Sequence, residues 1–136
     1  VLEIGCGPGF FTIPAAKIVG EKGIVYALDI HPLAMERVQE KIRKEGITNV
    51  KTILADASQT GLSDQSVDLA FLFGIAHSVN GILEAVLDEL YRVLKSGGIL
   101  SIKTRISEKK LTELLEKKGF IYSENRAGIF LFKRKK

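Results

Sequence analysis

The sequence predicts an α/β fold on a mostly parallel sheet, and three observations carry that expectation. Short apolar runs alternate with stretches of helical period, a glycine loop follows the first apolar run, and only the C-terminal end breaks the alternation. Val1 to Ile4 is the first strand, and it carries Glu3 before breaking into Gly5-Cys6-Gly7-Pro8-Gly9-Phe10. Glycines at 5 and 7 take backbone angles denied to other residues and present no side chain. A ligand can therefore lie against the main chain where the strand hands over to a helix.

Ile24 to Leu28 reads as the second strand. His31-Pro32 then reads as a cap and first helical residue, with Met35, Val38 and Ile42 recurring on one face before Gly46 closes the helix. Val50 to Ala55 and Val67 to Phe73 follow as strands three and four. From Ile82 to Leu94, the positions Leu83, Val86, Leu87, Leu90 and Leu94 hold a helical period, and Gly97-Gly98 is expected to end that helix. Ile99 to Thr104 is the fifth strand, and Glu108 to Lys118 is a helix stopped by Gly119. Phe120 to Ser123 and Ile129 to Lys133 then form an antiparallel hairpin around Asn125-Arg126-Ala127-Gly128.

A chain of 136 residues with three prolines and 46% hydrophobic residues suits one ordinary globular domain. The single cysteine excludes an internal disulfide framework and a cysteine-only zinc site, which points to a reducing, cytoplasmic compartment. No apolar run reaches the ~18 residues of a membrane span. The first residue is a valine inside a strand rather than an initiator methionine, so an upstream segment is expected to be missing. The net charge is +4, and basic residues concentrate in Lys103, Arg105, Lys109, Lys110, Lys117, Lys118 and the tail Lys133 to Lys136. Such a concentration reads either as a solvated, charged strand edge or as a surface for an acidic partner such as nucleic acid.

The glycine loop fails the dinucleotide fingerprint G-x-G-x-x-G. Its third position is Phe10, too bulky for close helix packing, and Pro8 removes an N–H that pyrophosphate would use. Glu3 would repel a phosphate and suits a ligand with positive charge.

Glu3-Ile4-Gly5-Cys6-Gly7-Pro8-Gly9 resembles the first motif of the class I S-adenosylmethionine-dependent methyltransferases. The resemblance continues through Val67 to Phe73 and through Glu89 to Gly98, where Ser96 replaces a proline frequent in the family's double-glycine turn. It implies a doubly wound, Rossmann-like seven-stranded sheet of order 3-2-1-4-5-7-6, spanning residues 1–136 as one methyltransferase domain that lacks the family's N-terminal helices. It also implies S-adenosyl-L-methionine as cofactor, held by Glu3 and the loop Gly5, Cys6, Gly7 and Gly9. Asp29 lies 20 residues beyond Gly9, where this fold places a carboxylate for ribose hydroxyls; helix capping is the alternative. Ile30 would lie on the adenine face or in the core. Asp56 and the next N–H, of Ala57, would meet the adenine edge, unless Asp56 only forms a turn. Phe73, with Phe10 and Phe11, would face the sulfonium or simply pack.

His77, just past the fourth strand, is the candidate general base, needed only where the acceptor must lose a proton; a loop histidine without chemistry is the alternative. His31 suits capping better. Phe73-Gly74-Ile75-Ala76 lacks the Asn/Asp-Pro-Pro-aromatic motif of amino-methyltransferases acting on nucleic-acid bases, so a small-molecule acceptor with an O, N or C nucleophile is expected. An RNA or protein acceptor using the basic C-terminal third is the second reading, and a noncatalytic methyltransferase-like module the third. No metal site is expected.

Overall fold

The computed structural model describes residues 1–73 and 81–136. Seven strands form one sheet: β1 (Leu2–Ile4), β2 (Val25–Asp29), β3 (Val50–Leu54), β4 (Val67–Phe73), β5 (Leu94–Lys103), β6 (Phe120–Arg126) and β7 (Ile129–Arg134). Their order is β3-β2-β1-β4-β5-β7-β6, as expected. The first five strands run parallel, while β7 is antiparallel to both β5 and β6. The helices are α1 (Thr12–Val19), α2 (Pro32–Glu45), α3 (Gly81–Val93) and α4 (Glu108–Lys117).

The alternation of side chains across the strands explains the two layers. Leu2, Ile4, Leu28, Leu72, Leu100 and Ile102 turn one sheet face into a single core with the apolar stripes of α3 and α4. On the other face, Ala27 packs beneath Met35 and Val38 of α2, together with Cys6. A parallel sheet buried in this way brings the carboxyl ends of β1 to β5 to one edge, with the reversal of strand order lying between the parallel strands β1 and β4.

Three local expectations are corrected. Helix α3 stops at Val93, and Gly97-Gly98 lies inside β5 rather than in a turn after the helix. Leu94 already pairs with Val67, and the ladder resumes at Ile99 opposite Leu69, so Lys95 to Gly98 bulge outward opposite Asp68. A Cβ at Gly98 would lie 2.8 Å from the Lys95 carbonyl and 3.2 Å from that of Asp68, so backbone closeness demands the glycine. The hairpin turn is also tighter than expected. Only Ala127 and Gly128 are unpaired, both with positive φ (51° and 86°), the backbone of a type I′ turn. Asn125 supports it by accepting the Gly128 N–H through Oδ1 at 3.0 Å.

The third correction concerns the basic residues, which occupy two opposite ends of the sheet rather than one surface. Lys103 ends β5 at the carboxyl edge, and Arg105, Lys109 and Lys110 follow it there into α4. The antiparallel return of β7, with Lys133 opposite Ile99, carries the tail to the far edge, near Lys118 at the end of α4.

Candidate functional site

The site is built from what happens to each strand as it ends at the carboxyl edge. β1 stops at Ile4 because Gly5, Gly7 and Gly9 take φ of 72°, 53° and 93° and turn the chain sharply. The Gly5 and Cys6 N–H groups both reach the Leu28 carbonyl at 2.9 Å, which fastens the loop to β2. A Cβ at Gly7 would meet nothing within 4 Å, so the space beside this backbone is open. Gly9 differs, since its Cβ would press on Val38 Cγ2 at 3.3 Å, so this glycine lets the loop approach α2. Phe10 takes no part in that approach: it is 74% exposed, with the Lys41 ammonium 4.7 Å from its ring centre.

Asp29 organises the loop from β2. Its Oδ2 accepts the Gly7 N–H and its Oδ1 the His31 N–H, both at 3.0 Å. The carboxylate thus holds the glycine loop with one oxygen and the start of α2 with the other, although Asp29 is only 8% exposed. Gly7 therefore gives its N–H to a carboxylate rather than keeping it for a phosphate, a feature separate from the missing Pro8 N–H and the Glu3 charge.

Glu3 lies beneath the loop, 2% exposed, and Oε1 accepts from the Thr12 hydroxyl at the start of α1. Burial raises its carboxyl, the Thr12 bond opposes that and the Asp29 charge adds to it, which together push it up to about 7. Cys6 is buried, and desolvation with the neighbouring Glu3 and Asp29 charges pushes its thiol up to about 12. Such a thiol is not a nucleophile at neutral pH.

Beyond β3, the Ala55 N–H reaches the Asp29 carbonyl at 3.2 Å, which places Asp56 and Ala57 beside the end of β2. Asp56 is exposed and forms a turn: Oδ1 accepts the Ser58 N–H at 2.8 Å and the Ser58 hydroxyl at 2.6 Å, and these bonds hold its carboxyl below the usual range. Farther on, the buried Glu89 clamps this connection to α3. It accepts the Thr60 N–H (2.8 Å), the Thr60 hydroxyl (2.7 Å) and a two-pronged guanidinium contact from Arg92 (2.7 and 2.8 Å), and its carboxyl is lowered to about 2.

On β4, Phe73 is half-buried, with Phe11 at 5.4 Å edge-on and Phe71 at 5.1 Å between ring centres. Ile30 is 57% exposed next to Asp29. One edge thus gathers Glu3, Gly5, Cys6, Gly7, Gly9, Asp29, Ile30, Asp56, Ala57 and Phe73. His77 lies outside the described residues. Thr12, the Glu89 clamp and the Lys41 contact were not found from sequence, because each joins residues that no local pattern links. Among the described residues, no group of three His, Cys, Asp or Glu side chains could hold a metal ion. No helix among them is long and apolar enough to cross a membrane.

Residues 1–98 match the family model described as a methyltransferase domain. The chain belongs to the class I S-adenosylmethionine-dependent methyltransferases. It is 35% identical over 99 residues to the demethylmenaquinone methyltransferase of Geobacillus stearothermophilus, a match covering 72% of this chain and 42% of that protein. It is 38% identical over 69 residues to the aklanonic acid methyltransferase DauC of Streptomyces sp. (strain C5), covering 51% of this chain and 31% of that protein. The chain thus spans less than half the length of these relatives. Among solved structures, a SAM-dependent methyltransferase of Aquifex aeolicus superposes with a TM-score of 0.87 at 27% identity, covering 97% of this chain and 79% of the other.

Proposed function

We propose that this chain transfers a methyl group from S-adenosylmethionine to an O, N or C nucleophile of a small-molecule acceptor. The observation that carries the reading is the double grip of Asp29 on the Gly7 and His31 N–H groups. It builds an anionic, close-approach backbone where the fold family binds its cofactor, and leaves that loop short of donors for pyrophosphate. The donor set fits a cationic adenosyl cofactor. Asp29 retains lone pairs for ribose hydroxyls, Ala57 and Asp56 offer a donor and an acceptor for an adenine edge, and Ile30 offers an apolar face. The open side of Gly5 to Gly7, above Glu3, would take the methionyl end, and the Phe73 ring would border the sulfonium.

The bound cofactor supplies an electrophilic methyl group with a thioether leaving group. The protein's part is orientation and exclusion of water around the reacting atoms. His77 is the base proposed from its position after β4, for an acceptor that must lose a proton. The matched relatives named above are designated by small-molecule acceptors, which supports the choice over RNA or protein.

The test is methyl transfer from labelled S-adenosylmethionine into a metabolite pool and into bulk RNA. Label in a low-molecular-weight product is expected. Label only in RNA or protein would replace the acceptor assignment, and cofactor binding without transfer to any pool would mark a binding module.

A further inference from the structure

The carboxyl edge carries charge of opposite sign on its two sides. Glu3, Asp29 and Asp56 stand at the ends of β1, β2 and β3, whereas Lys103, Arg105, Lys109 and Lys110 stand at the end of β5 and the start of α4. Phe73 is the boundary: it pairs in register with Lys103 across the β4–β5 ladder, and neighbouring residues in register share a sheet face. Lys103 is therefore one strand away from the ring proposed to border the reacting methyl, on the same face.

Position at the carboxyl edge, not pairing alone, separates these cations from others: Lys22, Lys44, Lys51, Lys117 and Lys133 are also exposed without an ion pair among the described residues, but lie elsewhere in the fold. Lys17, Lys95, Lys118, Arg92 and Arg126 each have a carboxylate within 3.1 Å. Lys103, Arg105, Lys109 and Lys110 are exposed, and among the described residues their side chains make no ion pair or hydrogen bond. Local structure holds Arg105 outward, because Ile106 beside it is buried and its N–H is tied to the Thr104 hydroxyl at 3.2 Å. Lys109 and Lys110 occupy the first turn of α4, the positive end of the helix dipole, where a cation costs about 0.3–1 kcal/mol. Helix stability therefore does not account for them.

Resting on the methyltransferase reading above, we infer that the acceptor is an aromatic or apolar molecule bearing an anionic group, carboxylate or phosphate, which Lys103 and Arg105 receive while its body lies against Phe73 and the half-exposed Phe11. The two charge signs then sort the two ligands. The cationic cofactor is drawn to the β1–β3 side and the anionic acceptor to the β5 side, which brings nucleophile and methyl group together across Phe73.

The experiment is an NMR titration of the protein loaded with S-adenosylhomocysteine, using benzoate and phenyl phosphate as anionic probes and benzamide as the neutral counterpart. Saturable shifts of the Phe73, Lys103 and Arg105 amides are expected with an anion, at an affinity at least about tenfold above that of benzamide. Which anion binds more tightly identifies carboxylate or phosphate. The double variant Lys103→Glu/Arg105→Glu should lose the preference while still binding S-adenosylhomocysteine. Equal binding of benzamide, no saturation by either anion, or an unchanged preference in the double variant would overturn the inference. So would bulk tRNA that displaces the anion far more tightly and depends on the same two residues. Failure to bind S-adenosylhomocysteine at all would instead overturn the reading of the cofactor side.

Discussion

The ends of β1 to β3 and the end of β5 lie on one edge of one sheet, yet their charged groups are held in opposite ways. Asp29 is buried and bonded to two backbone N–H groups, Glu3 is buried against Thr12, and Asp56 is locked in a turn by Ser58. The Lys103 and Arg105 side chains are exposed and make no ion pair or hydrogen bond among the described residues. On the first side the acidic side chains are fixed in place by folding, so the shape of the site exists before a ligand arrives. On the second side the charges are free to meet a ligand and add little to the fold. Substitutions that damage folding and binding together should therefore cluster on the first side.

The largest effect is expected from Asp29→Ala. It leaves two N–H groups without their acceptor, at about 1–3 kcal/mol each, so a combined loss of about 2–6 kcal/mol is expected, shared between stability and cofactor affinity. A denaturant melt and a binding titration would read both. Loss of affinity without loss of stability would show that the loop holds its shape without Asp29.

Next is Glu3→Gln, where the sign runs the other way. The carboxyl is raised from 4.5 to about 7 in the folded state, so the native protein keeps a proton that the unfolded chain releases. The stability contributed by Glu3 falls as pH rises from about 4.5 through 7 and stays low above that. Glu3→Gln should therefore stabilise the ligand-free protein at pH 8 by about 2–3 kcal/mol and change it little at pH 4. A pH series of melting temperatures would show the two curves converging at low pH. Parallel curves would mean that Glu3 titrates as an ordinary carboxylate.

The glycines separate strain from ligand space. Gly9→Ala adds a methyl group at a φ of 93° with Val38 at 3.3 Å, and should cost about 2 kcal/mol of stability. Gly7→Ala, at a φ of 53° with nothing nearby, should cost only about 1 kcal/mol yet weaken binding of S-adenosylhomocysteine, because its methyl group enters the open space. Equal effects of the two on binding would remove that distinction. Smallest of all, Lys103→Ala and Arg105→Ala should each shift stability by no more than about 0.5 kcal/mol. A larger loss would show that these cations serve the fold.

Much of this edge was legible in the chain. Strand β4 has its expected limits, and the spacing from Gly9 to Asp29 located the carboxylate that grips the loop, because a parallel βα unit fixes where its strands end. The double glycine was recognisable but misplaced, since composition cannot distinguish a turn after a helix from a bulge opposite Asp68. The Glu3–Thr12 pair was not legible: it forms only when α1 folds back over β1. The basic C-terminal third looked like one surface because sequence proximity hides the antiparallel return of β7, which carries Lys133 to the far edge from Lys103.

A cofactor side that is complete without the acceptor side would show itself in calorimetric titration of S-adenosylhomocysteine into the intact chain. One-to-one saturation is predicted for the unmodified protein and, at the same affinity, for Lys103→Glu/Arg105→Glu, with binding lost in Asp29→Ala. No saturable heat with the unmodified chain, or a double variant weakened as much as Asp29→Ala, would contradict it.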